Sequence, residues 1–487
     1  TNKNCRIKHA PQTKLSLEMA AGEYCCKPSL FLSYQSLQLA KLPCRTGIYI
    51  PARRPQIRAI FWRSNANNSV EIPNVNFPAK ELKLTESTLE NPVEDKNLPK
   101  SISIAVLSSI SDVSPSDWDS CNIDSSSPES YNPFLSHAFL SSLEDSCSAV
   151  RETGWVPCHI VAKDEKENVI GVVPLYLKSH SYGEYVFDHS WAEAYYSYGG
   201  RYYPKFQSCV PFTPVTGPRI LIRRSPFRDQ IFKIMVAALK DLTVKSKVSS
   251  LHITFSLEEE WEMLKEDGFL QRKGLQYHWE NRNYKSFDEF LMDMKQNKRK
   301  NIKQERKKIS DQSLKMKRLR GDEITAKHWD LFYKFYRNTT DNKWGTPYLT
   351  REFFHIMGDK LKDSVVLVVA EDEDQIVAGA LNLIGGSTLF GRLWGCHPNV
   401  YYPNLHFEAC YYQAIEAAIE LGLKRVEAGA QGEHKIQRGY LPVTTYSCHF
   451  VVDDSFRVAI GQFLKRESNQ VDMVIKMLHD SSPFKER

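Results

Sequence analysis

The densest run of chemically useful side chains lies at 427–438, where Glu427, Gln431, Glu433, His434, Lys435 and Arg438 follow a short strand signal at 425–428. In α/β folds ligands gather at strand C-terminal ends and helix N-termini. A Glu or His placed there is suited to taking a proton, and backbone N–H groups to stabilising an oxyanion. The plainer reading is a solvated polar turn with internal ion pairs. Just upstream, His406 and Glu408 open a helix after the turn Pro403-Asn404. A carboxylate at that position also serves helix capping and the helix dipole. Trp344, Arg392 and Trp394 are expected to wall the same cleft, although aromatic residues more often fill cores.

A second set is basic. Lys295, Lys298, Arg299, Lys300, Lys303, Arg306, Lys307 and Lys308 are opposed only by Glu305 and follow a capping box, Ser286 with Glu289. At helical spacing Lys295, Arg299, Lys303 and Arg306 share one face, which suits a phosphate-bearing partner such as a nucleotide carrier, tRNA or CoA. A solvated charged helix is the bland alternative. A third set is aromatic and polar: Lys178, His180, Tyr182, Glu184, Asp188, Trp191, Glu193, Tyr195, Tyr196 and Tyr198. So long a connector suits acceptor recognition by Lys178, Tyr182, Tyr195 and Tyr196, or else an aromatic minicore. No nucleophilic triad, phosphate-cradling Gly loop or metal cluster is legible, so Ser, Cys or metal hydrolysis is unsupported and no metal is expected.

The elements that must position these groups recur. Alternating apolar segments at 158–162 and 169–177 flank a polar turn, 184–187 reads as a short strand, and helical spacing covers 226–244. A strand at 251–255, a helix at 257–265 stopped by Gly268, and a strand at 269–279 complete this half. The second half repeats the rhythm: strands at 365–370, 376–383 and 389–394, a helix at 405–421, a strand at 425–428, a turn at 433–438 and a strand at 444–452. Gly268-Phe269-Leu270 precede His278-Trp279 by the interval at which Gly439-Tyr440-Leu441 precede His449-Phe450. Two similar halves predict a ligand cleft between them.

A chain of 487 residues, 42% hydrophobic and 25% charged, has the material for two folded domains. Its apolar runs are too short for a membrane span. The mild net charge of +6 is uneven: residues 1–70 hold eleven Lys and Arg against Glu18 and Glu23, a transit-peptide composition. Plastid (chloroplast) import is the first expectation, with mitochondrion or cytoplasm behind it. The eleven scattered cysteines fit free thiols in a reducing compartment. The expected organisation is a basic segment at 1–75, an acidic Ser-rich linker at 76–130, a first domain at 131–283, a basic helical segment at 284–320 and a second domain at 321–487.

The helix stop at Gly268, with Phe269 and the final strand, resembles the closing segment of GNAT acyltransferases. The duplication around a basic helical stretch is similar to the Fem-type aminoacyl transferases. The segments 132–139, 173–187, 210–219 and 405–441 resemble a bacterial and plant family labelled predicted N-acyltransferases of the peptidoglycan biosynthesis or recognition type. This resemblance covers roughly 130–470. It implies an α/β (α+β) fold of tandem duplicated GNAT-like domains (the acyl-CoA N-acyltransferase fold) with mixed central sheets. It also implies transfer of an acyl or aminoacyl group from an activated carrier to a small-molecule or peptide amine, with Glu433, His434 or Glu408 as base. Gln431, Lys435, Arg438, His406, Trp344 and Arg392 would then bind substrate. Acyl-CoA or aminoacyl-tRNA is the implied co-substrate, with no tightly bound cofactor. The run 429–435 does not fit the pyrophosphate-binding pattern of GNAT enzymes, which points away from acyl-CoA and leaves an aminoacyl or other carrier. A non-catalytic glycan-, peptide- or tRNA-binding module on the same fold is the rival reading, and the oligomeric state is left open.

Overall fold

The computed structural model describes residues 82–84, 101–343, 345–398 and 401–486; Trp344, the basic segment 1–75 and most of 76–100 lie outside them. The first half supplies β1 (Leu82–Leu84), β2 (Ile102–Leu107), β3 (Trp155–Pro157), β4 (His159–Lys163), β5 (Val169–Val173), β6 (Leu175–Lys178), β7 (Lys205–Ser208), β8 (Leu221–Ile222), β9 (Ser250–Ser256) and β10 (Leu270–Glu280). The second supplies β11 (Lys315–Arg320), β12 (Val365–Asp372), β13 (Gln375–Gly385), β14 (Thr388–Cys396), β15 (Arg425–Glu427) and β16 (Leu441–Val451). The apolar hairpin of the first half is cut at Cys158 and Pro174, so β4 and β5 join a five-stranded sheet while β3 and β6 stay in the main one. Proline removes a ladder donor, which accounts for the break after β5.

The main sheet has eleven strands in the order β11-β12-β13-β14-β15-β10-β16-β9-β7-β6-β3. The halves have therefore exchanged their last strands: β10 lies beside β15, and β16 lies beside β9. Where β10 and β16 run antiparallel, Leu270 faces His449, His278 faces Leu441, and Gly274 faces Thr445. The repeated segments thus pair with each other about a local twofold axis through Gly274 and Thr445. Glycine is needed there, because a Cβ on Gly274 would stand 2.8 Å from Thr445 Oγ1.

The two halves share part of their core in this arrangement. One hydrophobic cluster runs from Phe134, Phe139 and Phe212 of the first half to Phe353, Leu381 and Phe390 of the second. The expected linker also folds in part: β2 pairs with β4, and the helix Pro115–Asp124, capped by Ser114, buries Trp118 and Cys121. Residues 184–187 form no strand, because Glu184 is drawn inward to Lys205. The basic segment at 284–320 resolves into the helices Phe287–Asp293 and Gln296–Asp311 followed by β11. Among the described residues no helix is long and apolar enough to cross a membrane.

Candidate functional site

Each half contains one parallel strand pair, and each pair splits. β14 and β15 are joined only from Thr388–Phe390 to Arg425–Glu427, after which β14 continues through Arg392 and Trp394 without β15. β7 and β9 are joined from Phe206–Ser208 to Leu251–Ile253. Such a split leaves main-chain groups of the longer strand without a ladder partner, so a side chain, water or a ligand must meet them. The exchanged strands deliver a histidine to each: His278 faces Glu427 across β10 and β15, and His449 faces His252 across β16 and β9.

Chemically the two places differ. In the first half the split is sealed. His252 Nδ1 lies 2.6 Å from His449 Nδ1, and the edge of Trp191 closes on His449. Lys205 binds Glu184 at 2.7 Å and Asp188 at 2.6 Å, Tyr202 donates to Asp188, and Lys178 stacks over the Trp155 ring. Burial would raise the Asp188 carboxyl, but the charge of Lys205 holds it below the usual carboxylate range. Burial first, then the charge of Lys205 against the opposing pull of Asp188, lowers His252 to about 3, and burial lowers His449 further, so both histidines are neutral at ordinary pH. Lys178, expected to touch substrate, is instead fully buried in this cluster.

The second-half split keeps a buried carboxyl oxygen without a partner. Glu427 is 5% exposed, its Oε1 stands 3.9 Å from His278 Nε2, and its Oε2 has no hydrogen-bond partner. Burial pushes this carboxyl up to about 7 against the pull of Arg425 and Arg392. His278 also meets Gln276 Oε1 at 3.3 Å, and Gln276 Nε2 donates to Pro214 O, tying the first-half loop 209–217 to the site. Lys435 is buried, donates to the carbonyls of Ala428 and Gly429, and is lowered by burial to about 7. Arg392 is half-buried; among the described residues its guanidinium makes no hydrogen bond or ion pair, and it faces the Phe134 ring at 5.6 Å. The aromatic loop of the first half overhangs: Tyr185 interacts with Arg392, and Phe212 stacks on Tyr348 at 5.1 Å. Tyr185 and Phe212 hold positive φ angles of 61° and 58°, uncommon for such side chains and typical of constrained sites.

The other expected site residues are spread around this centre. Glu433 and Gln431 are exposed on its rim. His434 is half-buried, 3.1 Å from the Tyr411 hydroxyl, and lowered to about 4, by burial first and then by the charges of Arg438 and Lys435. His406 packs edge-on to Trp394. Arg438 stacks on Phe407 at 3.4 Å and binds Glu305 at 2.7 Å. Glu408 is corrected: it begins a π-helical turn, Glu408–Tyr412, and is held by Nε and Nη2 of Arg306 and by Gln413, so it is not free to act as a base. The same pairing, with Glu416, occupies Arg306, while Lys303 reaches Asp288 at 3.6 Å and Lys295 donates to Ser482 O. Arg299 contacts Met292, whereas Lys300, Lys307 and Lys308 project into solvent. Tyr182 and Tyr196 are exposed, and Tyr195 packs on Phe456. His278 and Gln276 were not assigned to the site from sequence; the recurrence of His278 as His449 was the available signal.

A family model described as FemAB-like, peptidoglycan biosynthesis/recognition, matches residues 109–486. No curated protein matches the chain. Among solved structures the chain is similar to FemX, with 11% identity over 72% of this chain and 98% of that one and a TM-score of 0.45. L-PGS from Bacillus licheniformis is similar at 8% identity over 66% and 95%, with a TM-score of 0.41. A tandem GNAT protein from the clavulanic acid biosynthesis pathway is similar at 11% identity over 72% and 99%, with a TM-score of 0.38. The fold is α/β, with a mixed eleven-stranded sheet and an antiparallel five-stranded one, and with the last strands of its two halves exchanged.

Proposed function

The chain belongs to the FemAB-like family, and on that premise we propose that it moves an acyl or aminoacyl group from an activated carrier to an amine, with the reaction held in the split between β14 and β15. The observation that carries this reading is Glu427, a buried carboxyl with one unpartnered oxygen and a pKa near neutrality, at the end of β15. A general base works best with such a pKa. The amine nitrogen attacks the carrier's acyl carbonyl carbon, Glu427 takes the amine proton, and the new C–N bond forms as the carbon's bond to the carrier breaks. The carrier leaves as its alcohol or thiol by taking the proton from Glu427, which returns the carboxylate to its starting state. Main-chain N–H groups of β14 beyond Phe390 supply hydrogen bonds to the oxyanion. Lys435 acts from beneath, fixing the carbonyls of Ala428 and Gly429 and hence the loop that bears Glu433 and His434.

The basic helix supports a phosphate-bearing carrier, tRNA or CoA. Lys298 meets Gln437, and Glu305 binds Arg438, so this helix abuts the site and turns Lys300, Lys307 and Lys308 outward beside it. A recognition module without turnover is favoured by one observation, the exposed tyrosines Tyr182, Tyr196 and Tyr198. A thermal-shift screen of the full chain against acyl-CoAs, charged tRNA and UDP-linked peptides separates the readings, since a bound ligand raises the melting temperature. Transfer requires a shift with one donor class. A salt-sensitive shift with uncharged nucleic acid alone would instead favour recognition.

A further inference from the structure

Arg392 differs from the other enclosed arginines. Arg219 is bound by backbone carbonyls, Arg272 by Glu467, Arg306 by Glu408 and Glu416, and Arg438 by Glu305. Arg392 has no such partner among the described residues, and it helps line a small apolar cavity of about 20 Å³ with Phe134, Phe139, Phe212, Leu381 and Leu393. A guanidinium partly withdrawn from water that is attracted to Glu427 but holds no anion by hydrogen bonds is under-satisfied, which implies that a ligand supplies one. The register sharpens the point. Phe390 faces Glu427 as Gln207 faces His252, and two residues further along stand Arg392 in the second half and the buried, uncharged Cys209 in the first.

Across the split from Arg392 stands Glu427 with its unpartnered Oε2. One face therefore offers a cation and the other a carboxyl group. A guanidinium matches a carboxylate with two parallel hydrogen bonds. A single arginine among aromatic rings balances a monoanion and not the nearly double charge of a phosphate monoester. Resting on the transferase reading, we propose that the amine acceptor also bears a carboxylate, which docks on Arg392 while the amine reaches Glu427. The acceptor is thus an amino acid or a peptide end carrying both groups.

The test uses the full chain at pH 8 and calorimetric titration with glycine, β-alanine, 4-aminobutyrate, butyrate, butylamine and inorganic phosphate. At least one amino acid should bind about tenfold or more tightly than butyrate and butylamine. Arg392→Gln should weaken that amino acid and butyrate about tenfold and leave butylamine unchanged, and Arg392→Lys should restore only part. Glu427→Gln should weaken the amino acid and butylamine but not butyrate. Both Arg392 variants should melt close to the parent, because no hydrogen bond or ion pair is lost and only the contact with the Phe134 ring changes. Unchanged amino-acid affinity in Arg392→Gln, or phosphate as the ligand that Arg392→Gln loses, overturns the proposal. Transfer to amines lacking a carboxylate, equally fast in parent and Arg392→Gln, would sink this inference and leave the transferase reading standing. The expected binding pattern without any turnover would do the reverse.

Discussion

Glu427 carries the account at the scale of single residues, and its chemistry has a signed pH dependence. Its carboxyl is raised from 4.5 to about 7 by burial, so the folded state holds a proton that the unfolded state has released across that window. Stability from this group is full below about pH 4.5 and is lost as pH rises through about 7. Glu427→Gln should therefore melt above the parent at pH 8, by on the order of 3 kcal/mol, and converge with it near pH 4. Denaturant titrations at the two pH values check this. Activity should run oppositely, rising as pH passes about 7 and the base ionises. Arg306→Ala is the contrasting case: it strands the buried Glu408, so it should cost about 3 kcal/mol, the low end for a broken buried pair because Arg306 is 27% exposed. Its turnover per folded molecule should stay unchanged, measured after correcting for folded fraction. Composition and strand-end position marked the segment 427–438 in the sequence. They could not separate Glu427 from Glu433 or Glu408, because burial and pairing come from His278 and Arg306, residues more than a hundred positions away.

At the scale of elements, strands with strong apolar patterns were legible and charged ones were not. β12, β13 and β14 lie where their apolar runs place them, since most side chains of β12 and β13 and the opening Thr388–Phe390 of β14 are buried. β11, with Lys315, Lys317, Arg318 and Arg320, is an edge strand held by β12, and nothing in its own pattern reveals it. The helix Asp454–Asp480 was likewise not read, although Phe456, Ile460, Leu464 and Val471 bury one face. The helix Ala326–Lys343 lies so close to β14 that a Cβ on Gly395 would stand 2.3 Å from the Phe335 carbonyl oxygen. Gly395→Ala should therefore destabilise by about 1–3 kcal/mol, read from the urea midpoint, with the strand bearing Arg392 displaced. A midpoint equal to the parent's would mean that the helix yields freely.

For the whole molecule, the exchange of last strands has a direct consequence. Without β16, β9 and β10 lose their shared neighbour, and without β10 the same holds for β15 and β16. Residues 101–283 and 284–486 should each fail to fold alone and should form one soluble complex when co-expressed, with a single thermal transition for the intact chain. A sharp melt from either half alone would refute the exchange. The duplication itself was visible in the repeated Gly-aromatic-Leu and His positions, but strand partnership is non-local, and two separate domains and one exchanged sheet share the same local pattern. The asymmetry between the halves follows at this scale too: one split is filled by Trp191, His252 and Lys205, while the other keeps Glu427 with an unpartnered oxygen. The most direct test is mass-spectrometric detection of N-acylated product at pH 8, with acetyl-CoA or an aminoacyl-tRNA as donor and an amino-acid panel as acceptors, for the parent chain, Glu427→Gln and His434→Ala. The account predicts product from one donor, a loss of about 10²–10⁴-fold in Glu427→Gln and a far smaller change in His434→Ala; an undiminished rate in Glu427→Gln, or a parent chain that consumes neither donor, would contradict it.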